Sequence, residues 1–325
     1  MAHTLNALFL VAEVILIVIY AFCTTYGEGV ANTGKNALEF DAQDAEAATK
    51  MARLYPFFQD VHVMIFIGFG FLMVFLKTHS WTSVGFNYII ACWALQMNVV
   101  MQPTWHMLLI DGHLEKIPIT IESLITSDFA AGAVLISFGA ILGKCTWAQL
   151  FVLATLEIVF FGLNETICYG MLGAVDMGGS MYVHTFGAYF GLAATFFFNA
   201  PRAIRDQEGR CSGSYMSQLI AMIGTVFLFM FWPSFNGALA FGAAQQRVVV
   251  NTVLSISAST LTSCFIAAVF HGKFEMEVML NSTLAGGVAI GTSADLCMGG
   301  AFAIIVGGIA GIISAFGYMK LNAIL

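Results

Sequence analysis

The chain has 325 residues, of which 59% are hydrophobic and only 10% charged, and its formal net charge is −7. A soluble domain carries roughly 25% charged residues to cover its surface, so the composition excludes a water-soluble fold, and the acidic balance argues against nucleic-acid binding. The seven cysteines stand singly, mostly inside apolar runs, with no CxxC pair and no His/Cys cluster. They indicate neither a disulfide framework nor a metal site, and no cofactor motif points to an enzyme.

Apolar runs of about 18 or more residues recur along the chain, each long enough to cross a hydrocarbon core of roughly 30 Å. The first, 6–24, has the place of a secretory signal but lacks a basic leading region, carries Glu13 and offers no small-residue cleavage site. It reads as a retained helix. Residues 25–55 follow as a polar, acidic stretch with Glu39, Asp41, Asp44 and Glu46, the one sizeable loop. Nine further helices are expected over 56–76, 83–103, 119–142, 146–172, 176–199, 215–240, 248–270, 276–294 and 299–320. Most connections are short, so consecutive helices pack antiparallel. The expectation is one all-α transmembrane domain of about ten spans over 1–325.

Basic residues set orientation in a membrane. With alternating helices, Lys77, Lys144, Arg202, Arg205, Arg210, Lys273 and Lys320 fall on one side, and Lys35, Lys50, Arg53, Lys116 and Arg247 on the other. This bias places the N-terminus and the 201–214 loop in the cytoplasm and the 25–55 loop outside. Glycine clusters, Gly68/Gly70, Gly286/Gly287/Gly291 and Gly307/Gly308/Gly311, read as positions where helix backbones approach closely in lipid.

Ionisable groups inside spans are costly and are the first functional suspects: Glu13, Asp60, His62, Asp128, Glu157, Glu165, Asp176 and His184. The derived orientation gives each a depth. Asp128 and Phe129 lie in the outer half of 119–142, Glu165 near the outer end of 146–172, Asp176 at the outer start of 176–199, and Phe235 near the outer end of 215–240. His184, eight residues beyond Asp176, is about 12 Å further along the axis, towards the membrane centre. Taken alone, His184 fits either a hydrogen-bonded packing residue or a site, and Asp176 either a site or a helix cap. Phe129 and Phe235 are two of thirty phenylalanines. Asn164-Glu165-Thr166 and Asn281-Ser282-Thr283 are formal glycosylation acceptors within spans and are expected to be unmodified.

Four stretches resemble one known family. Phe58-Gln-Asp-Val-His-Val-Met-Ile-Phe-Ile-Gly-Phe-Gly-Phe-Leu-Met73 is similar to the second helix of Rhesus glycoproteins, the animal branch of the ammonium transporter/Rhesus family. Gly178-Gly-Ser-Met-Tyr-Val-His-Thr-Phe-Gly-Ala-Tyr-Phe-Gly-Leu192, Phe231-Trp-Pro-Ser-Phe-Asn-Gly237 and Asn281-Ser-Thr-Leu-Ala-Gly-Gly-Val-Ala-Ile-Gly-Thr-Ser-Ala-Asp295 resemble the same family, in the family's order. The resemblance implies an ammonium transporter fold: an inverted five-helix repeat plus an extra N-terminal helix, N-terminus inside, assembled as a homotrimer in the plasma membrane with a narrow apolar pore in each protomer.

Carried over by motif, Asp176 and Glu165 match acidic outer positions, Phe129 and Phe235 a stacked aromatic gate with Asn236 beside it, and His184 the first of two pore histidines. Asp128 joins them as a substrate-path candidate by its depth. The implied function is recruitment of ammonium at an outer vestibule and conduction of neutral ammonia, with methylammonium and CO2 as further permeants and membrane lipid as the surrounding partner. The family's second pore histidine belongs to an Asp-Thr-Cys-Gly-containing helix ending in His-Gly, which does not occur before Leu325. The alternative expectation is therefore a truncated, non-transporting structural subunit that assembles with full-length relatives.

Overall fold

The computed structural model describes residues 2–27, 42–78, 80–198 and 213–321. Each of the ten expected helices is present: α1 (Ala2–Cys23), α2 (Ala42–Val63), α3 (Ser80–His106), α4 (Ile121–Ile141), α5 (Trp147–Glu165), α6 (Phe186–Phe198), α7 (Tyr215–Gly237), α8 (Gly242–His271), α9 (Met276–Gly291) and α10 (Gly300–Phe316). Helix α2 continues through a π-helical segment, Met64–Phe69, to Phe75, and π-helical turns also extend α3, α5 and α10 and precede α6. Among the described residues, seven helices are long and apolar enough to cross a membrane by length and composition.

Two features depart from the expected pattern. The stretch 25–55 is not loop throughout, because α2 begins at Ala42 and carries Pro56 in its interior. Residues 42–52 read Ala-Gln-Asp-Ala-Glu-Ala-Ala-Thr-Lys-Met-Ala, nearly all strong helix formers, so the helix runs out of the apolar region into the polar one. Its Lys50 pairs with Glu122 at 2.6 Å, and its Arg53 lies 4.2 Å from the centre of the Phe241 ring. The second departure is a short parallel strand pair, β1 (Thr24–Tyr26) with β2 (Ile117–Ile119), in the register Thr24 opposite Ile117. It ties the end of α1 to the entry of α4. The remainder of the 25–55 loop, 28–41, and positions 201–212 of the 201–214 loop lie outside the described residues.

In lipid, apolar burial does not favour helix–helix contact over helix–lipid contact, so close packing and internal hydrogen bonds hold the bundle. Helix α8 shows both. Ser255 donates to the Gly286 carbonyl at 2.8 Å, Ser259 to Ser282 O at 2.7 Å, Thr262 to Gly308 O at 3.1 Å and Ser263 to Gly311 O at 3.0 Å. A Cβ on Gly307 would fall 2.0 Å from the Ser255 carbonyl oxygen, so any side chain there would drive α8 and α10 apart. These contacts account for the third glycine cluster seen in the sequence.

The main hydrophobic core is built by α2 through α7, with Ile65, Phe69, Phe129, Phe138, Phe161, Leu228 and Trp232 all buried. At one end of the bundle stand β1 and β2, the starts of α2, α4 and α8, and the ends of α5, α7 and α9. The opposite end holds Leu76, Leu142, Lys144, Glu277 and Tyr318, which line a cavity of about 600 Å³.

Candidate functional site

Helices α4 and α7 run in opposite directions, and each places a phenylalanine at the same depth. The rings of Phe129 and Phe235 meet with centroids 4.5 Å apart and planes inclined at 52°, and both residues are buried. Immediately beyond Phe235 lies His184, with ring centroids 5.5 Å apart. The imidazole also stacks on the Trp232 indole at 5.5 Å and 23°, and the Trp232 and Phe235 rings themselves lie 6.2 Å apart. Trp232 and Phe235 sit three positions apart on α7, so they share a helix face. A cluster of four rings results: His184, Phe235 and Trp232 meet one another, and Phe129 packs on Phe235. His184 is buried, and its Nε2 has no hydrogen-bond partner.

The backbone around His184 explains its placement. Asp176 is buried, and its carboxylate accepts from the backbone N–H groups of Ser180 at 2.9 Å, Met181 at 2.7 Å and Tyr182 at 3.1 Å. It also accepts from the Thr292 hydroxyl at 2.6 Å. The orphan donors of a helix start are thereby satisfied by one side chain, and the negative charge sits where the peptide dipoles favour it. The N–H groups of Val183 and His184 both reach the Gly179 carbonyl at 3.0 Å, which produces the π-helical turn Ser180–Thr185. Ser180 adds a tie to α9 by donating to Val288 O at 2.6 Å. Asp176 therefore fastens the helix bearing His184 to the end of α9. Of the two sequence readings, the cap is the one that the geometry displays, and Asp176 does not line the cavity described next.

Glu165, at the end of α5, does face a cavity. It borders a volume of about 670 Å³ at the strand end of the bundle, with Gln102, His106, Glu115, Glu122, Thr126 and Tyr169 among the lining residues. That volume holds on the order of twenty waters. Glu165 Oε2 has no hydrogen-bond partner. Thr126, in the cavity lining, precedes Phe129 by about one turn of α4, a rise of about 4.5 Å; Phe129 and Phe235 are not themselves among the lining residues.

Asp128 and Asn236 serve the surroundings of this ring cluster. Asp128 is turned towards α2, where both carboxylate oxygens lie 3.1 Å from Nδ1 of His62. His62 in turn packs between Phe58 and Phe66. Adjacent residues on a helix point about 100° apart, so Asp128 cannot share the direction of Phe129. Asn236 is buried and donates to the Thr252 hydroxyl at 3.1 Å and to Gly287 O at 3.2 Å, tying α7 to α8 and α9 beside Phe235.

The structure thus brings together Phe129, Phe235 and His184, sets Asn236 at their flank, and places Asp176 and Asp128 in the supporting framework. Sequence reasoning did not single out Trp232 or Thr292, although both stand in or beside the motif stretches. Among the described residues, no group of His, Cys, Asp and Glu could hold a metal ion.

A sequence model described as the Ammonium Transporter Family matches residues 19–325. The chain is similar to the ammonium transporter Rh type B-A of Xenopus laevis, 45% identical over 320 residues, which cover 97% of this chain and 68% of that protein. It is 43% identical to Rh type B of Danio rerio over 316 residues, covering 96% and 67%. It is 48% identical to Rh type B of Xenopus tropicalis over 276 residues, covering 83% of this chain but 58% of the relative. The chain therefore spans about two thirds of the length of these relatives, or somewhat less. Among solved structures, Nitrosomonas europaea Rh50, described as belonging to the Rhesus protein family of channels, superposes with a TM-score of 0.75 at 28% identity, over 86% of this chain and 73% of that one. Candida albicans Mep2 superposes with a TM-score of 0.73 at 20% identity, over 93% and 72%, a likeness of fold.

Proposed function

Because this chain belongs to the Ammonium Transporter Family, we propose that it is a channel-like ammonium/ammonia transporter whose path passes the ring cluster of Phe129, Phe235, His184 and Trp232. The observation that carries the reading is His184: an imidazole buried in a membrane bundle, flanked by aromatic rings, with one nitrogen left unpaired. A packing histidine would use that nitrogen. A conducting one presents it to the permeant.

The chemistry follows from the difference between ammonium and ammonia. The cation is stable in water and costly in hydrocarbon. The outer cavity, whose lining includes Asp111, Glu115 and Glu122 as well as Glu165, offers negative potential that concentrates ammonium while it remains hydrated. At the Phe129–Phe235 contact, ring faces can hold a dehydrating cation without supplying the water shell that other ions need. Ammonium loses its proton to the water of the outer cavity, and neutral ammonia passes the rings. His184, with one donor and one acceptor in its neutral form, then receives a solute that both donates and accepts. Asp176, Asn236 and Asp128 act by holding this path in shape.

The family supports further parts of the reading: methylammonium and CO2 as permeants, an inverted five-helix repeat, a homotrimer, and a plasma-membrane location with the N-terminus in the cytoplasm. The test is methylammonium and ammonia flux across membranes carrying the protein, compared with protein-free membranes. Specific flux that depends on His184 supports the proposal; flux no greater than through protein-free membranes defeats it.

A further inference from the structure

Besides Asp128 and Asp176, the bundle contains a third buried carboxyl group, on α5. Glu157 on α5 is completely buried. Its Oε1 stands 2.5 Å from Ser137 Oγ on α4, and the same Oγ stands 2.7 Å from the carbonyl oxygen of Gly187 on α6. Counting protons resolves these two contacts. A peptide carbonyl can only accept, and a serine hydroxyl carries a single hydrogen. If that hydrogen went to Glu157, Ser137 Oγ and Gly187 O would face each other at 2.7 Å with no proton between them. If it goes to Gly187 O, the 2.5 Å contact must take its proton from the carboxyl group, and both contacts become hydrogen bonds of normal O–H···O length.

The second oxygen agrees with this assignment. Glu157 Oε2 has no hydrogen-bond partner, and no ion pair among the described residues includes Glu157. An ionised carboxylate with a bare oxygen inside a membrane protein is far costlier than an unpaired carbonyl oxygen.

We propose that Glu157 is a neutral carboxylic acid donating to Ser137, and that the relay from Glu157 through Ser137 to Gly187 positions the His184 helix against the Phe129 helix. The two helices are in backbone contact at this point. A Cβ on Gly187 would lie 2.6 Å from Ala133 O, and one on Gly191 2.8 Å from Ser137 Cα. Ser137 stands about two turns along α4 from Phe129, and Gly187 follows His184 by one turn. A slip of α6 along α4 would change the spacing between the phenylalanine contact and the imidazole. The relay joins α4, α5 and α6 where that slip would begin. Glu157 is a positioning residue on this reading.

The positional consequence rests on the transport reading above; the proton assignment does not, and the test separates them. Infrared difference spectra of the full chain in lipid at neutral pH, wild type minus Glu157→Gln, should show the carbonyl stretch of a protonated carboxylic acid. Ser137→Ala should shift that band by removing its acceptor. Absence of the band, or a carboxylate band in its place, overturns the assignment whether or not the protein transports ammonium. For positioning, Glu157→Gln keeps a donor towards Ser137 and should hold methylammonium uptake within about twofold of wild type. Glu157→Leu should lower uptake per molecule at the surface by about tenfold or more, as misplacement of reacting groups does, and should alter the ratio of methylammonium to ammonia flux. If Glu157→Leu fails to reach the membrane, Ser137→Ala serves for the same comparison. Equal uptake and an equal flux ratio in wild type, Gln and the disrupting variant would overturn the positioning role.

Discussion

The imidazole of His184 and the indole of Trp232 stack with centroids 5.5 Å apart and planes 23° from parallel. The indole nitrogen of Trp232 is itself buried without a hydrogen-bond partner, so this surface holds the imidazole by contact and leaves Nε2 free. Replacing His184 with Ala or Phe should reduce methylammonium uptake to near background at normal surface expression. Trp232→Phe, which keeps an apolar ring against the imidazole, should retain more uptake than Trp232→Ala. Unchanged uptake in the His184 variants would remove this residue from the path.

Phe129 and Phe235 meet each other, and Phe235 meets His184; the proposed path reaches them from the strand end of the bundle. Cysteines placed singly at the two positions, in a background freed of native reactive thiols such as the exposed Cys23 and Cys297, should react with small thiol reagents added on the strand side of the membrane. Ammonium or methylammonium should slow that reaction. Labelling solely from the opposite side would contradict the proposed direction of the path.

Asp176 gives a test that divides structural from vestibular action. Its two oxygens accept from three backbone N–H groups and one hydroxyl. Asn in its place would direct an amide N–H₂ at some of those donors. Asp176→Asn should therefore destabilise the protein by about 1–3 kcal/mol, the usual cost of leaving buried polar groups unpaired, read as a lower midpoint of thermal unfolding in detergent. Thr292→Val should lose less, since it removes one of the four donors. Normal stability in Asp176→Asn with lowered uptake would instead favour a carboxylate that recruits cations.

The depth of the site was legible in the sequence, and its facing was not. Antiparallel alternation and a 1.5 Å rise suffice to bring Phe129, Phe235 and His184 to neighbouring levels, and the structure joins them. Rotation about each helix axis is settled by long-range contacts, so it escaped the sequence reading: Asp128 turns to His62, 66 residues away, and Asp176 to Thr292, 116 residues away. The start of α2 was missed for another reason. Hydropathy marks where a helix meets lipid, whereas residues 42–55 continue the helix through backbone propensity and the Lys50–Glu122 pair. The three-residue strands β1 and β2 carry too few positions for a period-two pattern to register.

His113, in the exposed connection after α3, titrates under defined local control. The Asp111 carbonyl at 2.8 Å from Nδ1 and the Glu115 carboxylate at 3.1 Å from Nε2 both favour the protonated ring and raise its pKa above the ordinary value. Only imidazolium donates from both nitrogens. Because the folded value is the higher one, the stabilising contribution is full below the unfolded pKa of about 6.5 and is lost as pH rises through the folded value. An NMR titration should place the His113 midpoint above that of free histidine and lower it in Glu115→Gln. A midpoint at or below the free value would show that these contacts do not persist.

The pairing of Asp128 with His62 yields the last prediction. The Asp128 side chain is fully buried, while 39% of the His62 side chain remains exposed. Asp128 adjoins Phe129 on α4, so whatever holds Asp128 also fixes the rotation of the helix that presents the phenylalanine. Removing His62 leaves a buried carboxyl group without its partner. Breaking a fully buried pair costs about 3–5 kcal/mol, and the exposed imidazole places this case below that range. His62→Ala should therefore destabilise the protein measurably and also weaken the selectivity of uptake for methylammonium over larger amines, because the Phe129 ring loses its reference. His62→Gln, whose amide N–H₂ can still donate to Asp128, should recover most of both. The double variant His62→Ala/Asp128→Ala should be less destabilised than His62→Ala alone, since it removes the stranded group as well. Should the double variant lose the sum of the two single losses, the pair would have no coupling, and the rotation of α4 at Phe129 would have to be set by packing against α2 and α7 alone.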